Sequence, residues 1–277
     1  MWVAESQYVI LGTRFGVRSD DEQATQWVEW LLKPFHASDR RAVRSKNLFA
    51  LADRRPGDER HHAYRDCKRI VRSESWSRVL DLFLGELNRR AVDEMNYFGV
   101  HAGVVASNDR TIAFPGASGA GKTTLVAACL QAGFHYVSDE ALCLDFSTGS
   151  VVTYPKPLNL SAWSIEALGI EASNIDLLPD GSKTPLHPEA VGGAIAQAPP
   201  ALTDLVLVDR RPGPAELQEL PRSQVVANLL RYSFNHYKHP QQAFSLTTDL
   251  ARHCTAWTLT YEHPADAAAL VGSQLTL

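Results

Sequence analysis

Residues Gly116, Ala117, Ser118, Gly119, Ala120, Gly121, Lys122 and Thr123 match the spacing G-x-x-x-x-G-K-[ST]. Glycines at these positions let successive backbone N–H groups turn inward around an anion. A helix opening at Lys122 would point its positive dipole end at the same place. The Lys122 amine suits β- and γ-phosphate oxygens, and the Thr123 hydroxyl suits Mg²⁺. With Thr124 behind it, this turn reads as a nucleotide-phosphate loop with Mg²⁺.

The next acidic group, Asp139-Glu140, follows Lys122 by only 17 residues, room for one helix and one short strand. A carboxylate at such a strand end can hold Mg²⁺, as Asp139 is expected to, or take the proton of an attacking hydroxyl. Motor, transporter and GTPase families place their second acidic motif much further on. Neither a transporter signature nor a guanine-recognition motif is present. Phosphoryl transfer to an alcohol is therefore the expected chemistry. Three other cations are candidate substrate contacts. Lys156 sits between two prolines that stiffen its segment. Arg210 and Arg211 end a strand, where an arginine pair can clamp a transferring phosphate. His236 and His239 have ligand-like spacing but no third ligand in register, so no metal is assigned there. Trp2, Trp163 and Trp257 read as core.

Elements must position these groups. The chain predicts a strand over 8–17, a helix over 22–33, a polar loop over 36–62 with a short strand at 47–51, and a helix over 74–95. Two strands, 100–106 and 111–114, flank a turn and read as a hairpin. The loop follows, then an amphipathic helix over 122–132 that Gly133 ends. Two more β segments surround Asp139 and continue to residue 160, and residues 171–200 read as a long loop or flap. A buried strand at 205–209, helices at 222–232 and 241–253, and a strand at 255–261 complete the pattern. The fold class is α/β, with antiparallel strands around the phosphate loop. Two domains are expected: an accessory α/β lobe over 1–95 and a nucleotide-binding domain over 96–277.

Of the chain's 277 residues, 27 are Lys or Arg and 31 are Asp or Glu, a net charge of −4. A mildly acidic chain is not a general nucleic-acid binder. No apolar run reaches the roughly 18 residues of a membrane span. The start lacks the basic region of a signal peptide, and Cys67, Cys129, Cys143 and Cys254 form no C-x-x-C pair. A cytoplasmic protein with free thiols is expected. Residues 40–72 carry eleven Lys/Arg against four Asp/Glu, and read as a solvated loop face.

The stretch VHAGVVASNDRTIAFPGASGAGKTTLVAACLQAGFHYVSDEALCLD, continuing to YPKPLNL, resembles the HPr kinase/phosphorylase superfamily with its phosphoenolpyruvate-carboxykinase-like core. The shared pattern is a His-bearing strand, a short hairpin, the phosphate loop, a helix ending in Gly and an acidic pair. The resemblance implies ATP as the nucleotide and a kinase with a mixed, antiparallel-rich sheet, in which His101 orients the general base and Asp139 and Glu140 divide the roles of base and metal ligand. The HPr enzymes usually carry Asp where this chain has Glu140, so the two roles stay unassigned. Residues 1–95 do not resemble the N-terminal domain of those enzymes. The resemblance implies an acceptor hydroxyl on a serine of a peptide or protein, as in peptide-tailoring kinases. It also allows a small molecule such as a free amino acid or a sugar, and a homo-oligomer. A non-catalytic nucleotide-dependent switch is the remaining alternative.

Overall fold

The computed structural model describes residues 2–54, 57–107, 109–171 and 183–275. The chain forms two compact units that meet in sequence between Met95 and Asn96. It is a mixed α/β protein. Among the described residues, no helix is long and apolar enough to cross a membrane.

The N-terminal unit is a five-stranded sheet in chain order: β1 (Ala4–Ile10), β2 (Thr13–Ser19), β3 (Leu48–Ala52), β4 (His61–Arg65) and β5 (Lys68–Ser73). Only β2 and β3 pair in parallel; helix α1 (Glu22–Leu31) lies between them in sequence. Asp21 caps α1 by accepting from the Ala24 amide at 2.6 Å. Helix α2 (Trp76–Glu94) buries Val79, Leu80, Phe83 and Leu87, the stripe its spacing predicts. Phe83 meets Phe49 of β3 edge to face, with ring centroids 5.4 Å apart.

Two expectations are corrected here. The strand read over 8–17 is two strands. Leu11 and Gly12 both take positive φ, +48° and +81°, and reverse the chain in a two-residue hairpin turn. An apolar Leu in that turn hid it. The short strand expected at 47–51 is β3, but the polar segment read as loop ends earlier than expected, because β4 begins at His61 and pairs with β5 in the basic residues beyond it. A second positive-φ pair, Asp66 and Cys67, turns β4 into β5. The basic stretch is solvated as expected, with Arg40, Arg41, Arg44, Lys46, Arg54, Lys68, Arg69 and Arg72 exposed, but several of these cations stand on strands rather than on a loop. Arg65 pairs with Glu86, Lys46 with Glu94, and Arg72 with Asp58 at 3.0 Å, all within this unit.

The second unit is built on an eight-stranded mixed sheet. Strands β6 (Tyr97–Ala106) and β7 (Thr111–Pro115) form the expected hairpin. Helix α3 (Lys122–Gln131) follows, then β8 (His135–Ser138), β9 (Ala141–Asp145) and β10 (Val151–Val152). β11 (Leu158–Leu160) and helix α4 (Ala162–Ala167) come next, and β12 (Thr184–Leu186) pairs with β11. The remainder is β13 (Leu202–Arg210), β14 (Glu216–Leu220), α5 (Ser223–Arg231), α6 (Pro240–Leu250), β15 (Thr255–Tyr261) and α7 (Pro264–Leu275). The sheet order is β10-β9-β6-β7-β13-β15-β14, with β8 also on β6. β7, β13 and β15 run parallel, so Pro115, Arg210 and Tyr261 end their strands on one edge. Ligands of parallel sheets bind at that edge.

Faces follow from period two. Val100, Ala102 and Val104 of β6 and Leu205 of β13 share a buried cluster with Val225 of α5 and Leu246 of α6. His101, Gly103 and Arg210 therefore point to the other face. Helix α3 crosses that face so closely that a Cβ on Gly103 would lie 2.6 Å from Val126 Cγ2. The expected amphipathic helix is instead buried nearly all round, with Leu125, Val126, Ala127, Ala128, Cys129 and Leu130 all inside. The flap read over 171–200 is only partly testable, since 172–182 lie outside the described residues. Residues 183–200 are anchored: β12 pairs with β11, and the Ala194 carbonyl accepts from the Tyr136 amide at 2.7 Å.

Gly103→Ala should push α3 off the sheet and cost about 1–3 kcal/mol of stability. Urea denaturation measures this, and adding Val126→Ala should recover part of the loss.

Candidate phosphate-binding and acid–base site

Sheet register assembles the site around β6. On one side of it, β7 ends with Pro115 opposite Ala102, and the glycine-rich turn 116–121 departs from there. On the other side, β8 and β9 form one line along β6. Val104 faces Ser138 and His101 faces Ala141. The ladder is interrupted between them, and Asp139-Glu140 occupy the interruption. The loop and the acidic pair thus flank His101 at one level. Two separate bonds tie its backbone to both: Gly116 N donates to His101 O at 3.3 Å, and Ala102 N donates to Glu140 O at 3.3 Å.

The side chains form a continuous polar chain. Lys122 Nζ donates to the carbonyls of Gly116 at 2.9 Å and Ala117 at 2.7 Å, and lies 3.1 Å from His101 Nε2. His101 Nδ1 lies 3.1 Å from the Glu140 carbonyl. An ammonium can only donate, so Nε2 is the lone-pair nitrogen and the proton sits on Nδ1, donating to Glu140. Burial, with the Lys122 charge second, holds the His101 pKa below the usual imidazole value. Burial likewise lowers that of Lys122. On the acidic side, Lys156 Nζ reaches Asp139 Oδ1 at 3.0 Å and Glu140 Oε2 at 3.6 Å. Burial works against the Lys156 charge, yet Asp139 and Glu140 together raise its pKa. The Tyr136 hydroxyl stands 3.1 Å from Asp139 Oδ1 and 2.8 Å from the Lys156 carbonyl.

These groups open on a cleft of about 340 Å³. Its wall includes His101, Ser118, Gly119, Gly121, Lys122, Thr123, Thr124, Asp139, Glu140, Lys156 and Arg210, so most of the residues singled out in the sequence come together. Within the loop the amides are not equivalent. Gly116 N is spent on His101 O, and Ala120 N donates to Ala117 O at 3.3 Å. Anion-facing donors narrow to the glycine turn and the first amides of α3, which have no intrahelical acceptor. Gly121 caps α3 at φ +88°, where a side chain would be strained. Thr124 turns sideways: its hydroxyl lies 2.8 Å from Ser164 Oγ, which lies 2.8 Å from Ser161 Oγ at the cap of α4.

Arg210 and Arg211 part company. Arg210 lines the cleft, its guanidinium 3.9 Å from the ring centroid of Trp163. Arg211 lies 3.8 Å from Asp209 and is not part of the wall. Trp163, read as core, is 43% exposed and belongs to the cleft, and Trp2 is exposed as well. Trp257 is half-buried and donates to Asp204 at 3.0 Å. His239 packs edge-on against Phe146. Among the described residues, no group of three or more His, Cys, Asp or Glu is placed to hold a metal ion by itself. Sequence reading missed Asn159, Ser161, Ser164, Lys183 and Tyr261, which also line the cleft. No motif carries them; for Tyr261 the signal was its place at the end of a strand parallel to β7.

Two measurements probe the network. Lys156→Met strands two carboxylates without their cation and should cost roughly 3–5 kcal/mol in chemical denaturation, with Asp139→Asn added in the double variant restoring part of it. The lowered His101 pKa means the unfolded chain takes up more protons than the folded one as pH falls below about 6.5. Wild type should therefore lose melting temperature relative to His101→Gln between pH 7.5 and 5.5, and the two curves should run parallel above that range. No protein-family model matches the chain, and no curated protein matches it.

Proposed function

We propose that the chain is an ATP- and Mg²⁺-dependent kinase related to the HPr kinase type, acting on an alcohol, the serine hydroxyl of a peptide or protein. The observation that supports this reading is the convergence of Lys122, His101 and the Asp139-Glu140 pair in one cleft at the N-terminus of α3. The loop amides and Lys122 would bind the triphosphate. The acceptor oxygen would attack the γ-phosphorus as the bond to the β,γ-bridging oxygen breaks. The acceptor proton would pass to one of the two carboxylates, and ADP would leave. Such a transition state asks for positioning and charge neutralisation rather than covalent help from the protein.

The residues present fit Mg²⁺. The Thr123 hydroxyl and the Asp139 and Glu140 carboxylates are hard oxygen donors beside the loop. Lys156 Nζ, between the two carboxylates, marks a position where positive charge is already stabilised. When bound, the ion neutralises charge on the transferring phosphates. His101 stays neutral and holds the Lys122 amine and the Glu140 backbone in fixed relation.

Radiolabelled ATP with a panel of serine peptides, proteins and small alcohols tests the reading. Wild type should transfer label, and Lys122→Ala should not. Replacing the carboxylate that takes the proton should lower kcat by roughly 10²- to 10⁴-fold while ATP still binds. Asp139→Asn and Glu140→Gln, assayed separately, identify it. Transfer only to small alcohols would replace the peptide acceptor. No transfer by wild type above the Lys122→Ala trace would overturn kinase activity.

A further inference from the structure

Tyr261, the last residue of β15, is fully buried, and among the described residues its hydroxyl has no hydrogen-bond partner. A buried hydroxyl without a partner costs stability, so its persistence calls for a reason. Its position supplies one. A Cβ built on Gly121 would lie 3.2 Å from the hydroxyl oxygen, so the phenol rests directly on the turn that starts α3. The same residue lines the cleft, and in the β13–β15 register it pairs with Arg210. Two features thus meet from separate parts of the chain: a helix N-terminus with uncommitted amides, and an unsatisfied donor held over it by β15, beyond β13 on the same face of the sheet.

We propose that Tyr261 is a polyphosphate ligand, its hydroxyl donating to an oxygen of the phosphate chain held by the 116–123 turn. This rests on the reading of that turn as a phosphate site. Burial pushes the phenol up to about 12, so the group remains a donor at neutral pH. Gly121 has a second role on this account. Besides its positive φ, it leaves the space through which the phenol reaches the loop. The neighbouring Arg210 brings a positive charge to the same strand edge.

The removal of an orphaned polar atom separates binding from fold. Tyr261→Phe should melt at the same temperature as wild type or higher without ligand, because nothing satisfied is lost. Calorimetric titration with ATP and, separately, with inorganic tripolyphosphate should show both binding roughly 10- to 100-fold more weakly, the range of a hydrogen bond to a charged acceptor. Three outcomes would overturn the assignment while leaving the phosphate loop standing. A lower melting temperature would make the hydroxyl a support of the fold. Unchanged affinity for both ligands, with Lys122→Ala binding neither, would remove Tyr261 while leaving the phosphate loop intact. Weakening for ATP alone would place the contact on the nucleoside. Failure of wild type to bind either ligand would overturn the phosphate loop itself, and the Tyr261 role with it.

Discussion

The close approach of α3 to β6 at Gly103 is the constraint on which the C-terminal unit turns. Without a side chain there, the helix sits within van der Waals reach of the strand, with Val126 and Lys122 against the glycine. That contact fixes where the helix begins, and so where the first amides and the Lys122 amine point. It also fixes the level along β6 at which the site forms, because His101 lies two residues before the glycine on the same face. A helix set further out would still have a phosphate-loop sequence, but its lysine would not reach the imidazole.

Charge in the cleft is arranged in alternation. Lys122, His101, Glu140, Lys156 and Asp139 follow one another at contacts between 3.0 and 3.8 Å. Each buried charge has a partner of opposite sign or a dipole aimed at it, which is the condition for keeping such groups out of water. His101 is the neutral spacer between the loop cation and the acidic pair. It accepts from one side and donates to the other, so neither end can move without disturbing its tautomer. The Tyr136 hydroxyl and the ordered turn back to Lys156 brace the acidic end from β8. The result is a rigid polar wall on one side of the cleft. The opposite side, with the Arg210–Trp163 stack, is more exposed.

The break between β8 and β9 has a physical cause. Two carboxylates directed into the cleft cannot also continue a regular ladder on β6 with alternate side chains buried. The Ser138 hydroxyl accepts from the amides of Glu140 and Ala141, at 3.2 and 3.1 Å, and so satisfies the donors the interruption frees. The strand then resumes at Ala141. The acidic pair thus gains a fixed position, with the two amides that follow Asp139 satisfied by one hydroxyl.

The hairpin of β6 and β7, the glycine turn at 116–121, the start of α3 and the strand–acid–strand order were legible in the sequence, because each rests on local chemistry: glycine turns, a capped helix and turn residues between apolar runs. The stripe of α2 was legible for the same reason. Tertiary structure decided the remainder. The hairpin turns Leu11-Gly12 and Asp66-Cys67 each pair one usual turn residue with one that is not, so of the N-terminal sheet the strand at 47–51 was read, while the β1–β2 and β4–β5 hairpins were not. Arg210 and Arg211 are equivalent as neighbours in sequence, and only the face of β13 separates the one in the cleft from the one outside. Tyr261 became a site residue through sheet order, which brings the ends of β13 and β15 to the same edge as that of β7 from about 100 to 150 residues away, and Trp163 through α4, where its ring meets Arg210. Local spacing determines which groups can hold a phosphate; parallel pairing between distant strands determines which others stand within reach of it.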